Sequence, residues 1–389
     1  MIVGVPKEIY PGERRVALVP TVVPNLTKAG FEVVVETGAG LSAGYTDSQY
    51  TEKGAKVLPD RASVFSTADI IVQVLAYGSN DANGREDVPL FRRDQVLIGF
   101  LRPFGVQETV SEIAERGVTS FSVELMPRST RAQSMDALSS MATISGYKAV
   151  IVAADSQPRI FPMMTTAAGT ITPARVLVIG CGVAGLQAIA TARRLGAVVS
   201  AYDVRPAAKE QVHSLGARFV ELPIEAKDAQ DSRGYATAQG EDFYRKQREL
   251  LGKVVGESDV VITAAVIPGK KSPVLVTGDM VKGMAPGSVL IDLAAERGGN
   301  CELTQVGKAI VEHGVTIIGA INLASGVPYH ASQMYAKNIT TFLLHLVKDG
   351  KLQLNMEDEI TRETLVTRGG EIVNTRVREA YSLPSLTKA

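Results

Sequence analysis

The sequence predicts an α/β protein of two doubly wound parallel sheets. Three observations predict it: short β-branched runs recur in both halves, helical patterns separate them, and several of those patterns stop at a glycine. In the first half the strand-like runs are residues 2–5, 31–36, 69–74, 95–100 and 118–123. Residues 20–29 lead into Gly30, and 108–116 into Gly117, as a helix leads into its C-terminal glycine. In the second half the runs 176–179, 198–202, 259–263, 289–293 and 315–318 read as strands of a second sheet. A long helical pattern over 134–153 carries the chain from one domain to the other, and an amphipathic pattern over 332–347 carries it back. The expected division is therefore 1–137 with 329–389, and 138–328, flanking one cleft. Residues 227–240 are polar and aperiodic and read as a long loop, of a length uncommon unless mobile or functional.

Composition narrows the class. The 389 residues are 45% hydrophobic and 21% charged, with 41 basic and 41 acidic side chains, so no charge excess points to nucleic acid. Lys7 and Glu8 fall where a signal peptide needs apolar residues, which leaves the start as a first strand. The longest apolar stretch, 176–192, is broken by glycines and reads as strand, turn and helix, not a bilayer span. Cys181 and Cys301 lie far apart with no ligand cluster, which suits a reducing cytoplasm and argues against a metal. Cys181 reads as a small packing residue.

The most informative stretch is Val176-Leu-Val-Ile-Gly180-Cys-Gly182-Val-Ala-Gly185, a strand that turns through three glycines into a helix. Gly180 permits the turn, Gly182 lets the backbone approach a pyrophosphate, and Gly185 lets the helix lie close on the strand. Val183 opens the helix, whose N-terminus faces the anion. The next strand ends on Asp203-Val204-Arg205, with the acid roughly 20 residues on, where a ribose-binding carboxylate belongs. That combination reads as a Rossmann-type dinucleotide site. Asp203 favours NAD by repelling a 2′-phosphate, while Arg205 is a cation that could accept one.

A second polar run, Arg128-Ser-Thr-Arg131-Ala-Gln133-Ser-Met-Asp136-Ala-Leu-Ser139, separates a strand from an apolar helix. It supplies the donor and acceptor groups that a nicotinamide carboxamide needs. It is equally well a capped helix start, with Ser134 or Asp136 as the cap. Its place at the domain joint, opposite the glycine turn, favours a nicotinamide site. None of the four histidines, His213, His313, His330 and His345, falls in either run, and His345 reads as structural. A dehydrogenase acting on an alcohol or amine needs a positioned acid or base, whereas hydride exchange between two nicotinamides needs mainly orientation.

At these residues the chain resembles the NAD(H)-binding component (domain I, or alpha-1 subunit) of the proton-translocating NAD(P) transhydrogenases, and more distantly alanine dehydrogenase. Val5-Pro-Lys-Glu8 and Arg14-Arg15-Val-Ala-Leu18 are common to both families. Residues 131–140 and 180–185, with Lys209-Glu-Gln-Val212, Gly234-Tyr235 and Ile267-Pro-Gly-Lys270, resemble the transhydrogenase specifically. The resemblance implies that Arg128, Asp136 and Ser139, with Ser129, Thr130, Ser134 and Met135 around them, hold the nicotinamide part. Gln133 would reach the NADP(H) of a partner, and Asp203, Val204 and Arg205 would take the adenosine ribose. Gly234 and Tyr235 would belong to a loop closing over NAD(H), with Val183, Gln247 and Val266 also lining its site. The substrate-binding Lys and catalytic His of alanine dehydrogenase would fall at Leu75 and Arg102, so Arg15 alone of that set remains. The implied partners are an NADP(H)-binding beta subunit, a membrane subunit and a second copy of the chain. The implied reaction is direct Si-Re (AB) hydride transfer coupled to proton translocation, by a separate subunit peripheral on the cytoplasmic face of the inner membrane.

Overall fold

The computed structural model describes residues 1–223, 229–231, 236–267, 270–348 and 350–384. The chain divides into two units, Met1–Met141 with Ser325–Ala389, and Ala142–Ala324. In the first unit the β-branched runs form β1 (Ile2–Val5), β2 (Glu32–Glu36), β3 (Lys56–Leu58), β4 (Ile70–Leu75), β5 (Val96–Phe100) and β6 (Thr119–Ser122). These strands pair in parallel in the order β3-β2-β1-β4-β5-β6, a doubly wound order. All five residues of β5 and the first five of β4 are buried, as expected of strands covered on both faces. Helices α1 (Val23–Lys28), α2 (Asp47–Glu52), α3 (Arg61–Thr67) and α4 (Gln107–Glu115) lie between strands. Gly117, at φ 75°, turns the chain from α4 into β6, a conformation that a side chain would strain.

Helix α5 (Ala137–Ser156) crosses from the first unit into the second. Among the described residues it is the helix long and apolar enough to span a bilayer, yet Ala149, Val150 and Ala153 are spent on the second unit's core. After it come an exposed hairpin, β7 (Met164–Thr166) and β8 (Gly169–Ile171), and then β9 (Arg175–Ile179) and β10 (Val198–Tyr202). The sheet is completed by β11 (Arg218–Phe219), β12 (Val260–Thr263), β13 (Val289–Asp292), β14 (Ala309–Glu312) and β15 (Val315–Gly319). Its order is β11-β10-β9-β12-β13-β15-β14, parallel except for β14. Val176 and Val178 of β9 enter one apolar layer while Leu177 and Ile179 enter the other, as the two-residue period of a strand dictates. Helices α6 (Val183–Arg194), α7 (Ala208–Ser214), α8 (Glu241–Gly256) and α9 (Gly278–Lys282) flank this sheet.

The C-terminal segment returns to the first unit. It contributes α10 (Pro328–Leu346), the short pair β16 (Val347–Lys348) and β17 (Lys351–Leu352), α11 (Glu359–Thr364), β18 (Leu365–Arg368), β19 (Glu371–Ile372) and α12 (Thr375–Ala380). Tyr335 of α10 donates its hydroxyl to the Gln73 carbonyl at 2.7 Å. β18 joins β6 antiparallel, with Ser120 Oγ and Thr367 Oγ1 2.7 Å apart, so the first sheet carries an antiparallel edge that the sequence does not predict.

Candidate functional site

The glycine turn sits at the end of β9, whose neighbours are β10 and β12. Its three glycines differ in what a side chain would meet. Gly180 has φ 96°, and a Cβ there would stand 2.7 Å from the Ala264 carbonyl carbon and the Ala265 nitrogen. A Cβ at Gly185 would stand 1.9 Å from the Gly180 oxygen, so the helix rests directly on the turn. At Gly182 nothing lies within 4 Å of an added Cβ, which leaves this one glycine open to a ligand. No side chain caps the start of α6, so its first-turn N–H groups keep the donor capacity and dipole that suit a phosphate. Gly146 of α5 stands so close to α6 that its Cβ would meet the Ala184 oxygen at 2.1 Å.

Asp203 is buried at the end of β10. Its Oδ2 accepts from Cys181 N at 2.7 Å and from Arg205 Nη2 at 2.9 Å, and its Oδ1 from Arg205 N at 2.8 Å and Arg205 Nε at 2.9 Å. Arg205 Nη2 also reaches the Cys181 carbonyl at 3.1 Å. Burial pushes the Cys181 thiol up, which keeps it protonated and inert. Val204 follows, half-buried. Gln247 of α8 is buried and donates from Nε2 to the Tyr202 hydroxyl at 2.8 Å, while its Oε1 has no protein partner among the described residues. An orphaned acceptor on a side chain bonded to Tyr202, the residue before Asp203, fits a ligand with hydrogen-bond donors.

The segment carrying Val266 is held by residues the sequence reading passed over. Asn300 accepts from Ala265 N at 3.0 Å and donates to the carbonyls of Ala265 and Pro273 at 2.9 and 2.8 Å. Asp292, fully buried, accepts from Ala294 N, Asn300 N, Cys301 N, Thr263 Oγ1 and Thr304 Oγ1. Their signal is faint: an acid at the end of an apolar strand, followed by a Gly-Gly-Asn turn. Gly234 and Tyr235, with residues 227, 228, 232 and 233 of the expected loop, lie outside the described residues.

In the first unit the 128–139 run is a 3₁₀ turn, Thr130–Met135, followed by α5. Ala132 and Met135 are buried, while Arg128, Thr130, Gln133 and Ser134 are exposed and Ser129 is half-buried. Asp136 accepts from Ser139 N at 2.8 Å and from Ser139 Oγ at 2.5 Å, so the helix begins at 137, capped by Asp136 rather than Ser134. The cap fixes the two groups as a joined donor and acceptor, so the structural and the functional readings of the run are not exclusive. Two distant residues brace it. Asn338 of α10 donates to the Ser134 carbonyl at 2.9 Å, and Arg131 pairs with Asp358. Burial alone would raise the Asp358 carboxyl, but the Thr361 N–H and His345, 2.9 Å away at Nε2, hold it down at about 2. His345 is thus a structural partner of Asp358.

The positions shared with alanine dehydrogenase tell a separate story. Arg15 is buried and forked onto Glu13, with Nε to Oε1 at 2.8 Å and Nη2 to Oε2 at 2.6 Å. Glu8, also buried, accepts from Val74 N at 2.6 Å and Leu75 N at 3.1 Å. Burial and the neighbouring Glu13 push the Glu8 carboxyl up to about 8. Arg102, in the left-handed region at φ 49°, is exposed and 3.5 Å from Asp81. Arg15 is thereby held in a buried ion pair with Glu13. Among the described residues no cluster of three or more His, Cys, Asp or Glu is placed to hold a metal.

Residues 4–145 match the alanine dehydrogenase/PNT N-terminal domain and residues 149–375 the alanine dehydrogenase/PNT C-terminal domain. An NAD(P) transhydrogenase alpha-subunit protein of Rhodospirillum rubrum is 49% identical over 377 residues, covering 96% of this chain and 98% of that protein. The crystal structure of transhydrogenase from Sinorhizobium meliloti superposes with a TM-score of 0.83 at 44% identity, covering 97% of this chain and all of that one. Alanine dehydrogenase of Bacillus subtilis is more distant, 28% identical over 96% of this chain and 92% of its own length. The chain belongs to the alanine dehydrogenase/PNT family, and within it to the alpha subunits of NAD(P) transhydrogenase.

Proposed function

We propose that this chain is the NAD(H)-binding component of a proton-translocating transhydrogenase. One contrast carries the reading: the glycine turn and Asp203 are complete, while Arg15, the one retained substrate residue of an alanine dehydrogenase, is neutralised by Glu13 in a buried fork. Gly182 and the uncapped start of α6 receive the pyrophosphate, Asp203 and Val204 the adenosine ribose, and Gln247 and Val266 line the site. Arg128 and the joined Asp136–Ser139 pair orient the nicotinamide carboxamide. Bound NADH supplies a hydride. Gln133, exposed on a braced turn, reaches toward the NADP(H) of a partner subunit. That transfer is direct, with AB stereochemistry, and moves no proton at the reacting carbons, so these residues act by orientation. The chain works only with an NADP(H)-binding beta subunit and a membrane subunit, peripheral on the cytoplasmic face of the inner membrane. The exposed Met163, Met164 and Ile171 around the β7–β8 hairpin support pairing with a second copy.

The test is a pair of assays on the isolated chain. NADH binding without any reduction of pyruvate in the presence of ammonia is the expected result. Turnover with pyruvate would move the assignment to an amino-acid dehydrogenase.

A further inference from the structure

A carboxylate offers about four lone-pair positions, and all four of Asp203 are taken. Two go to backbone donors, one on each oxygen: Arg205 N on Oδ1 and Cys181 N on Oδ2. The other two go to the side-on edge of one guanidinium, Nε on Oδ1 and Nη2 on Oδ2, both at 2.9 Å. A vicinal diol presents two hydroxyl donors side by side and would bind by filling one position on each oxygen. We infer that Arg205 is a placeholder: its guanidinium occupies the two Asp203 acceptor positions that a ribose 2′,3′-diol needs, and it must leave for the nucleotide to bind. This rests on reading Asp203 as the ribose acid.

Two consequences follow. Part of the diol's binding energy goes into displacing two charge-assisted bonds, so Arg205 weakens the affinity for NADH. Once displaced from Asp203, the guanidinium is a cation at the ribose edge and attracts a 2′-phosphate, so Arg205 strengthens the affinity for NADPH. The acid and the arginine therefore pull selectivity in opposite directions, and Arg205 is a specificity-determining residue rather than a fixed ligand of NAD(H). The backbone bonds from Cys181 and Arg205 stay in place throughout and keep the carboxylate oriented.

The experiment measures equilibrium binding of NADH, NADPH, AMP and 2′,3′-dideoxy-AMP to the full chain as wild type, Arg205→Met and Arg205→Lys. Arg205→Met should bind NADH and AMP about three- to tenfold tighter and NADPH about tenfold weaker, the scale of one or two exchanged charge-assisted bonds. The dideoxy nucleotide should gain nothing, because it has no diol to use the vacated positions. A role confined to folding would move all four ligands together. Lysine carries the charge without the fork, so Arg205→Lys should tighten NADH while keeping NADPH, and it decides the matter if the methionine variant fails to fold. Weaker NADH binding by either folded variant, or an equal gain for the dideoxy nucleotide, overturns the placeholder. Wild type that binds neither NADH nor AMP instead takes down the nucleotide reading beneath it.

Discussion

Around the glycine turn the second unit offers backbone and buried groups: a Cβ at Gly180 or Gly185 would meet backbone atoms closer than 3 Å, and Asp203 and Gln247 are buried. The 128–135 run of the first unit is the reverse, anchoring itself through Ala132 and Met135 while exposing Arg128 and Gln133. A preformed, buried cradle gives affinity because its groups lose little freedom on binding. An exposed side chain on a braced turn costs more to order, but it can reach a second molecule. The difference separates two tasks, holding a nucleotide and presenting it, and it should be possible to damage either alone.

The largest effect is expected inside the turn. Gly185→Ala drives a Cβ against the Gly180 oxygen and should cost more than the roughly 1–3 kcal/mol of ordinary overpacking, read as a collapse of the melting temperature. Gly182→Ala has open space, so it should melt like the wild type and lose NADH affinity. Equal melting of the two variants would mean that the glycines do not divide their roles as described. Next comes Gln133→Asn, which shortens an exposed amide by one methylene. Hydride transfer reconstituted with an NADP(H)-binding partner should fall on the order of a hundredfold with NADH affinity unchanged. A matching loss of NADH affinity would return Gln133 to the binding half of the comparison.

Asp203→Ala should weaken NADH binding by about 1–3 kcal/mol, since it removes an acceptor from buried donors as well as from ribose. Calorimetric titration would measure it. The last effect concerns stability rather than binding, at Glu8. Its native carboxyl titrates at about 8, above the ordinary value of an unfolded chain, so between about 4.5 and 8 the folded state holds the extra proton. Its contribution is present below about 4.5 and is lost as pH rises through about 8, with a slope of roughly 1.4 kcal/mol per pH unit from this group. Denaturant titrations across that range should show the slope in the wild type and a flatter line in Glu8→Gln. An unchanged slope would assign the pH dependence to another group.

The glycine turn was legible because backbone constraints write themselves into residue type: Gly180 and Gly185, where a Cβ is excluded, read as glycine. The parallel sheets follow from the alternation of strand and helix patterns, whereas the antiparallel β14 and β18 do not. The bracing of the first-unit run was not legible. Asn338 lies 204 positions from Ser134, and Asp358 lies 227 from Arg131, and contacts at such separations leave no period in the sequence. Ser134 and Asp136 are both good caps by type, so only the Ser139 bonds decide that α5 begins at 137. Helix α8 escaped notice because its buried stripe, Gln247, Leu251 and Val255, is narrow and begins with a polar residue. The Glu13–Arg15 fork is local, yet nothing in two charges two positions apart says that they are buried against each other.

The most direct test of the central claim, that this chain passes a hydride to a second nicotinamide rather than to a carbon substrate, is isotopic. NADH carrying deuterium at the transferred position of its nicotinamide C4 is mixed with the chain, an NADP⁺-loaded partner component, pyruvate and ammonia in ordinary water. The account predicts deuterium at C4 of NADPH, undiluted by solvent, and none in alanine. Deuterium in alanine, or its loss to water, would contradict it.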